Sequence, residues 1–251
     1  MSSETRALRV LPGSPPELVV HDTLSVCPYL RGRTARMPMR LPCRRLRPTE
    51  LDDRLRAGDR RQGLVLYRTR CPDCAACEPI RLHVAEFHPN RSQRRVLARG
   101  DRCLAVDMGS PEADERRVEL YNLHKTERGL ADGQRPIELE SYEDFLVQTC
   151  CESLELRYML DGQLVGVAVA DRGRRALNAV YCYYDPRHSQ LGLGTYSILK
   201  QVELCRRLSL TYLYLGLYVA ESRHMAYKGH YLPHERFVNG RWVQFSSCEI
   251  D

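Results

Sequence analysis

Three regularly spaced cysteines are the residues of this chain that point most directly to chemistry. Cys71, Cys74 and Cys77 are each separated by two residues, in the sequence C-P-D-C-A-A-C. Thiolates at this spacing can all reach one tetrahedral metal ion or the corners of an iron-sulfur cluster, and either group needs a fourth ligand. The spacing therefore predicts a zinc or iron-sulfur site and does not distinguish the two. The alternative is a set of free structural thiols.

The fourth ligand must come from another part of the chain. We predict Cys27, which begins the ordered region in a similar Cys-Pro setting, and Cys43 is the alternative. The remaining cysteines lie in apolar patterns or alone, where a small buried side chain is the expected role. They are Cys103, Cys150, Cys151, Cys182, Cys205 and Cys248.

A glycine-bearing loop is the second feature that can do chemistry. Gln190, Gly192 and Gly194 follow a strand-like segment, and a helical pattern begins at Thr195. A glycine loop at the start of a helix exposes backbone N–H groups at the positive helix end, where they can bind a phosphate or a developing oxyanion. Taken alone the motif is weak and also fits an ordinary turn. Placed between a strand and a helix, however, the loop resembles the acyl-carrier loop of the GNAT acetyltransferase fold.

Hydrophobic periodicity and turn residues predict the elements that position these features. The predicted helices span residues 49–61, 88–102, 112–125, 141–150 and 195–208, and the predicted strands span 63–69, 79–84, 154–160, 163–171, 176–184 and 211–217. The C-terminal half thus runs strand, strand, strand, glycine loop, helix, strand. We predict an α+β protein with a flexible lead at 1–25, a cysteine domain at 26–105 and a second domain at 106–251.

The charge of the chain is unevenly distributed. The formal net charge is +6, but residues 31–102 contain 19 Arg and 8 acidic residues. Clustered guanidinium groups gain affinity for polyanions by releasing phosphate counterions, so this segment indicates a nucleic-acid partner. A GC-rich genome is the alternative explanation, because only 3 of the 38 basic residues are Lys.

Neither a membrane segment nor a signal peptide is indicated by the sequence. No window approaches the roughly 18 apolar residues of a membrane span. The first twenty residues include Arg6, Arg9 and several prolines without a continuous apolar core. The chain has 11 cysteines, an odd number, which argues against a disulfide scaffold. We expect a cytoplasmic protein, a monomer without membrane contact, in which clustered thiols are ligands.

Several longer motifs in order carry a family resemblance from about Cys27 to Phe245, weakest between Asp101 and Leu154. They read CPYLRGRTARM, YRTRCPDCAACEPIRL, FHPNRSQRRVL, VYCYYDPRHSQLGLGTYSILKQVELCRRLSLTYLYLGLYV, HMAYKGHYLPHE and NGRWVQF. Together they resemble the arginyl-tRNA-protein transferase family, which includes the bacterial aspartate/glutamate leucyltransferases.

The resemblance implies a fold, a reaction and partners. The fold would be a GNAT-like C-terminal acyltransferase domain with a smaller N-terminal cysteine domain. The reaction would move Arg or Leu from charged tRNA, the co-substrate in place of CoA, to the N-terminal α-amine of proteins that begin with Asp or Glu. This would mark those proteins for degradation through the N-degron pathway. In eukaryotic relatives the cysteines are reported as iron-sulfur ligands.

Two segments depart from the family pattern. Where many relatives read like S-C-P-K-M-x-Y-K, this chain has S-R-H-M-A-Y-K at residues 222–228. Bacterial leucyltransferases usually carry an R-H-x-D-G-D-M segment. At the corresponding place, residues 130–134 of this chain keep only the Asp-Gly core. The K-G-x-Y-x-P segment at 228–233 looks more like the arginine-transferring branch, which favours arginine as the donor.

The reaction needs positioning more than a strong base. The acceptor α-amine has a pKa of about 7.7 to 8.0, so a useful fraction is neutral near pH 7, and orientation supplies most of the acceleration. We predict that the loop at Gly192 to Thr195 holds the ester or the terminal adenosine. Candidates to orient the amine or accept its proton are Tyr181, Tyr218 and Asp185, although no single catalytic residue is assigned.

Basic side chains are the candidates for the anionic parts of both substrates. The acceptor's acidic side chain needs a cation, for which Lys228 beside Tyr227 is one candidate, and Arg187 or His188 are others. The tRNA backbone would be bound by Arg91, Arg94 and Arg95, for which a solvated helix face is the alternative.

Two other functions remain open from the residues. The first is an acetyl-CoA-dependent GNAT acetyltransferase, against which the cysteine domain argues. The second is a non-catalytic zinc-knuckle protein that binds tRNA and transfers nothing.

Overall fold

The computed structural model of the chain describes residues 9–131, 133 and 135–247. Within these residues the strands are β1 Arg9–Leu11, β2 Glu17–His21, β3 Leu24–Val26, β4 Thr34–Arg36, β5 Met39–Pro42, β6 Arg60–Gln62, β7 Val65–Tyr67, β8 Glu78–His83, β9 Leu104–Gly109, β10 Ser153–Leu160, β11 Gln163–Arg172, β12 Ala176–Tyr184, β13 Tyr212–Tyr218, β14 His234–Val238 and β15 Arg241–Phe245. Predicted positions that lie outside the described residues are Asp132, Gln134 and Cys248.

Six α-helices accompany the strands in this part of the chain. They are α1 Pro48–Arg56, α2 Arg91–Cys103, α3 Glu115–Glu127, α4 Leu139–Tyr142, α5 Leu193–Arg207 and α6 Arg223–Ala226. A π-helix spans Glu143–Val147, and 3-10 helices span Pro186–Leu191 and Tyr227–His230. The start of α2 shows how local sequence sets a boundary, because Asn90 and Gln93 exchange side-chain-to-backbone hydrogen bonds of 2.9 Å, which satisfy amides that the first turn leaves unpaired.

An eight-stranded sheet forms the centre of the fold, in the order β15-β14-β8-β13-β12-β11-β10-β9. Its two faces pack against different helices because side chains alternate along each strand. Ala168 and Ala170 of β11 belong to the core beneath α5. Val167 and Val169 belong to a second core, which contains Tyr121 of α3. The sheet is therefore covered by a helix on each face, and the fold class is mixed α and β as predicted.

The first part of the chain forms a second sheet, in the order β1-β2-β5-β7-β6, and a separate β3-β4 hairpin. The predicted flexible lead does not hold for residues 9–25, which contain β1, β2 and most of β3. Proline-rich composition suggested irregular chain, but short apolar runs such as Leu18 and Val19 pair with β5 and β1. Strand pairing of this kind is decided by distant partners and not by local sequence.

The central sheet contains strands from both sides of the boundary predicted near residue 105. Strand β8 precedes that boundary, yet it lies between β14 and β13 in the eight-stranded sheet. Helix α2 likewise packs along α5. The predicted domain boundary thus divides the sequence, but strands from both sides of it belong to the central sheet.

Most predicted elements of the C-terminal half are confirmed within a few residues, including β10 to β13 and α5. The predicted helix at 141–150 begins earlier, because Glu138 and not Ser141 is the N-cap of α4, and the chain continues as the π-helix. None of the described helices is both long and apolar enough to cross a membrane.

Candidate active site

A gap between the parallel strands β12 and β13 is the main feature of the central sheet. The two strands pair only at Ala176, Leu177 and Asn178 with residues 212–214. Beyond this point β12 stays paired with β11, and β13 stays paired with β8 across a bulge at Gly216. We call the space between residues 179–184 and 215–218 the split. Ligands of open α/β sheets bind beyond the carboxyl ends of parallel strands, where such a gap opens.

The glycine loop lies at the carboxyl end of β12. Asp185 begins the 3-10 helix by accepting a hydrogen bond of 2.9 Å from the Arg187 amide. Gly192 then adopts a left-handed conformation with φ 66°, and α5 begins with no side-chain cap. The first N–H groups of a helix have no partner within the helix. The start of α5 therefore offers backbone donors at the positive end of a 15-residue helix.

Aromatic side chains line this end of the split. A Cβ added at Gly194 would lie 3.5 Å from the ring of Tyr184, so this glycine sits against the end of β12. Tyr231 donates a hydrogen bond of 3.4 Å to Thr195, which ties the segment after α6 to the first turn of α5. Tyr184 was not predicted as a site residue, although its place on the same strand face as Cys182, just before the loop, is a signal that sequence could have supplied.

A neutral histidine supports Tyr184 from α3. Nδ1 of His124 lies 3.0 Å from the Tyr184 carbonyl and 3.2 Å from the Tyr184 amide, and the two rings meet edge to face at 4.6 Å. Burial lowers the pKa of His124 to about 4. The imidazole is thus uncharged at neutral pH and acts as a packing and hydrogen-bonding group.

Two basic side chains from different elements reach the split. Arg60 of β6 donates hydrogen bonds of 2.7 Å to Asn178 Oδ1 and 3.1 Å to the Ala179 carbonyl. Lys228 donates one of 2.7 Å to the Leu217 carbonyl. Both residues are buried. Burial, followed by the charge of Arg60, lowers the pKa of Lys228 to about 7. Arg60 was not predicted, because nothing in its local sequence shows that β6 meets the central sheet.

The ion pair between Arg61 and Asp171 holds Arg60 in place through Asn178. Asn178 donates a hydrogen bond of 3.0 Å to Asp171, and Asp171 is paired with Arg61 at 2.8 Å. Ser153 donates a further hydrogen bond of 2.6 Å to the same carboxylate. The side chains of Arg61 and Asp171 are 1% and 0% exposed. This chain of contacts fixes β6 against β11 and β12.

The three candidates for orienting or deprotonating the amine are dispersed. Tyr181 lies on the α3 face of the sheet, with its ring centroid 5.5 Å from that of Tyr121, so the structure does not bring it to the glycine loop. The Tyr218 ring lies beneath the guanidinium of Arg236 at 4.7 Å, at the carboxyl end of β13. Asp185 is buried at the base of the loop, and hydrogen bonds from Arg187 lower its pKa.

The candidate cations and polar loop residues differ in exposure. Arg187 is exposed, and its guanidinium is paired with Asp185 at 2.6 Å, so its charge is already neutralised. Tyr227 is exposed, and its ring lies 5.8 Å from the Lys228 ammonium. The Gln190 side chain is exposed, while its carbonyl accepts a hydrogen bond from Arg99. Of these residues, only Lys228 presents a buried charge.

The β3-β4 hairpin brings Cys27 toward the other cysteines. The Cys27 amide donates to the Arg33 carbonyl across the hairpin at 2.9 Å. The Arg36 amide, on β4, lies 3.5 Å from Sγ of Cys71, and the Leu30 amide lies 3.4 Å from Sγ of Cys27. Two of the sulfurs thus accept backbone N–H groups.

The thiols of Cys27, Cys71, Cys74 and Cys77, which we call the cysteine cluster, influence one another electrostatically. The pKa of Cys77 is raised to about 12, first by burial and then by the other three. Cys43 is exposed and is not among these influences. Cysteine clusters of this composition suit zinc or iron-sulfur binding. As they stand, however, no three His, Cys, Asp or Glu side chains of the described residues are arranged to hold a metal ion.

The cysteine cluster adjoins the split through Tyr29. Burial raises the pKa of Tyr29, with Cys77 and Cys27 adding to the effect and the charge of Arg60 opposing it. Tyr29 therefore lies within electrostatic range of both the cluster and the guanidinium.

The predicted tRNA-binding arginines form an exposed face of α2. Arg91, Arg94 and Arg95 are all exposed, and none of them has an ion-pair partner among the described side chains. The same helix packs on α5, whose start carries the glycine loop. The structure therefore places this basic face beside the helix that borders the split.

Comparison with known proteins identifies similar sequences along most of the chain. Residues 25–95 match the family profile described as arginine-tRNA-protein transferase, N terminus, and residues 116–238 match the corresponding C terminus. An aspartate/glutamate leucyltransferase of Chromobacterium violaceum is 39% identical over 217 residues, which cover 86% of this chain and 89% of that protein. One of Methylobacillus flagellatus is 38% identical over 216 residues, covering 86% and 87%.

Two solved structures match this chain distantly. The crystal structure of FemX aligns with a TM-score of 0.43 at 10% identity, covering 66% of this chain and 59% of that one. A structure of L-PGS from Bacillus licheniformis aligns with a TM-score of 0.43 at 12% identity, covering 57% and 45%.

Proposed function

Because the chain belongs to the arginine-tRNA-protein transferase family, we propose that it transfers an amino acid from charged tRNA to the N-terminal α-amine of proteins beginning with Asp or Glu. The chain is an aminoacyltransferase by this membership, which extends over both family segments. The observation that carries the proposal is that the two segments meet at the split. There Arg60 of the first segment binds Asn178 and the Ala179 carbonyl of β12, the strand that leads into the glycine loop of the second.

We further propose a GNAT-like arrangement for the acyltransferase site. Two features support it: the parallel pair β12-β13 separates after three residue pairs, and the glycine loop leads from β12 into α5, which returns to β13. In this arrangement the amides at the start of α5 bind the ester end of the tRNA or the charge that develops on its carbonyl oxygen.

The reaction is an aminolysis. The neutral α-amine of the acceptor attacks the ester carbonyl, a C–N bond forms, and the C–O bond to the tRNA ribose breaks. The amine proton passes to the leaving ribose oxygen, directly or through solvent. The site contributes mainly orientation: the start of α5 holds the ester, the rings of Tyr184 and Tyr231 border it, and a cation at the split binds the acidic side chain of the acceptor.

The donor amino acid is proposed to be leucine, with arginine as the alternative. The two relatives compared above, which match along most of this chain, are named leucyltransferases, whereas the arginine interpretation rests on the single segment at residues 228–233. The product would be a protein marked for degradation by the N-degron pathway. We propose that the enzyme acts as a monomer in the cytoplasm.

A transfer assay tests the function directly. Purified protein is incubated with labelled Leu-tRNA or Arg-tRNA and with peptides that begin with Asp, Glu or Ala. We expect transfer to the Asp and Glu peptides and little to the Ala peptide. Absence of transfer from both tRNAs to acidic peptides would refute the proposal. Labelling from acetyl-CoA without tRNA would instead identify an acetyltransferase, and tRNA binding without transfer would identify a non-catalytic tRNA-binding protein.

The basic face of α2 predicts a salt-dependent contribution to tRNA binding. Replacing Arg91, Arg94 and Arg95 together with Gln should weaken binding and reduce the slope of log K against log salt by about 1 for each phosphate that the variant no longer binds. Filter binding of uncharged tRNA at several salt concentrations measures this slope. An unchanged slope would show that α2 is only a solvated helix face.

The cysteine cluster predicts a resident zinc or iron-sulfur group, held by Cys27, Cys71, Cys74 and Cys77. When bound, such a group would stabilise the hairpin and the segment near Arg60, because metal binding is coupled to folding. Anaerobic purification, metal analysis and an absorption spectrum should identify it. Cys27→Ser or Cys74→Ser should lower the metal content, and Cys43→Ser is the matched control. Loss of metal in Cys43→Ser with retention in Cys27→Ser would overturn the ligand assignment.

A further inference from the structure

Two buried cations at the split have no acidic partner among the described residues. Arg60 donates only to the neutral oxygens of Asn178 and Ala179. Lys228 donates to the Leu217 carbonyl and contacts Sδ of Met225 at 3.6 Å. Both residues are 8% exposed. Neither side chain forms an ion pair within the part of the chain that the structure describes.

Other buried arginines in the fold are neutralised. Arg61 is paired with Asp171 at 2.8 Å, and Arg117 with Glu155 at 2.6 Å. This is the usual arrangement, because a buried charge without a counter-ion is costly. The contrast sets Arg60 and Lys228 apart from the structural ion pairs.

The two unpaired cations also lie within electrostatic range of each other. Arg60 contributes to the lowering of the Lys228 pKa, after burial as the main cause. Like charges held together without an anion are unfavourable, and one anion bound between them would relieve both the repulsion and part of the burial cost. The site is therefore built for a bound anion.

Unused hydrogen-bond donors point to the same conclusion. A guanidinium carries five N–H groups and an ammonium carries three. Two hydrogen bonds of Arg60 and one hydrogen bond of Lys228 to oxygen are accounted for in the fold. The remaining N–H groups of Arg60 and Lys228 are more than enough to donate two charge-assisted hydrogen bonds to one carboxylate.

The position of Arg60 is fixed by the backbone of both strands. A Cβ added at Gly216 would lie 3.0 Å from Nη2 of Arg60, so the guanidinium rests against the bulge of β13. On the other side Asn178, the last paired residue of β12, binds Nη1 at 2.7 Å. The guanidinium thus lies where the two strands separate. Lys228 is bound to the Leu217 carbonyl on β13, one residue beyond the bulge.

We propose that Arg60 and Lys228 together bind the side-chain carboxylate of the acceptor's N-terminal residue and so determine the selectivity for Asp and Glu. The assignment rests on the proposed function and adds to it a specificity-determining residue, Arg60, supplied by the N-terminal sheet. A phosphate of the tRNA end has similar chemistry. The burial of both cations favours the smaller carboxylate, whereas the exposed arginines of α2 suit a phosphate backbone.

Acceptor peptides that differ only in charge test the proposal. Peptides beginning with Asp or with the near-isosteric Asn are compared, using whichever charged tRNA the wild-type enzyme accepts. In Arg60→Gln, which keeps an amide donor but loses the charge, kcat/KM for the Asp peptide should fall by about 10- to 100-fold, the range expected for a lost hydrogen bond to a charged group. For the Asn peptide it should change by less than about threefold. Lys228→Met should show the same pattern.

Control variants keep the outcome interpretable. Arg207→Gln, an exposed arginine at the end of α5, should leave the ratio of Asp to Asn transfer unchanged. Arg60→Lys, which keeps the charge, should restore part of the ratio. Circular dichroism and thermal melting establish whether each variant is folded. If Arg60→Gln does not fold, the ratio of Asp to Asn transfer is measured in Arg60→Lys instead.

Three results would separate failure of this inference from failure of the function. An equal loss of Asp and Asn transfer in folded Arg60→Gln would show a structural role and overturn the assignment. A raised KM for charged tRNA with every peptide would assign Arg60 and Lys228 to a tRNA phosphate and would also overturn the assignment. If the wild-type enzyme transfers to no acidic peptide, the proposed function itself is refuted.

Discussion

Replacing Asp171 with alanine should lower the free energy of unfolding by about 3 to 5 kcal/mol, the cost of leaving a buried charge unpaired. The Arg61 guanidinium binds both carboxylate oxygens of Asp171, at 2.8 and 2.9 Å, and neither side chain is accessible to water. Removal of the carboxylate also removes the hydrogen bonds that Ser153 and Asn178 donate to it. Urea unfolding of the folded variant, with an unchanged m value, measures the loss.

Two companion variants make the result specific. Asp53→Ala removes an exposed carboxylate that is paired with Arg56 at 2.9 Å, and it should change stability by less than about 0.5 kcal/mol. The double variant Arg61→Met with Asp171→Leu replaces the pair with apolar side chains and should be more stable than Asp171→Ala alone. A loss of under about 1 kcal/mol in Asp171→Ala would contradict the burial argument.

The second large effect is expected at Gly100, where α2 crosses α5. A Cβ added at Gly100 would lie 2.3 Å from two ring carbons of Tyr196. The ring is 1% exposed, and its hydroxyl donates a hydrogen bond of 2.9 Å to Asp101. Although alanine favours a helix over glycine by about 1 kcal/mol, the overpacking in Gly100→Ala should give a net loss of about 1 to 3 kcal/mol.

The same change should reduce aminoacyl transfer, because α5 carries the glycine loop at its start and must shift when α2 moves. For the stability measurement alone, Gly194→Ala is the matched control, since its added Cβ would have an ordinary contact of 3.5 Å with Tyr184 in the first turn of the same helix. Its unfolding free energy should stay within about 1 kcal/mol of wild type. If Gly100→Ala is as stable as Gly194→Ala, the helices do not pack as closely as the structure shows.

The strands and helices of the C-terminal half were predictable because their signals are local. A nearly continuous apolar run marks β11, and the Asp161-Gly162 turn joins it to β10, as the positive φ values of 49° and 78° confirm. Glycine before an apolar helical pattern likewise placed the loop at the start of α5. Each of these signals is contained within about ten residues of the element it predicts.

The N-terminal segment was less predictable because its strands are short and pair with distant partners. Strand β3 has three exposed residues and no alternation to detect, yet the hairpin that it forms with β4 carries Cys27 toward Cys71. Strand β8 was predicted as a strand, but its place between β14 and β13 could not be read from its own residues. Sheet order depends on contacts between segments that are far apart in sequence.

By itself the sequence determined the family, the reaction class, the cysteine spacing and the glycine loop, because these depend on residue types at short, fixed separations. Tertiary structure alone decided that β12 and β13 separate after Asn178 and that Tyr181 faces α3. It also decided that Arg60 and Lys228 both lie at the split with no ion-pair partner among the described residues. The physical reason is that burial and electrostatic pairing are properties of neighbours in space. Arg60 and Arg61 are adjacent in sequence, yet one is neutralised by Asp171 and the other is left for a ligand.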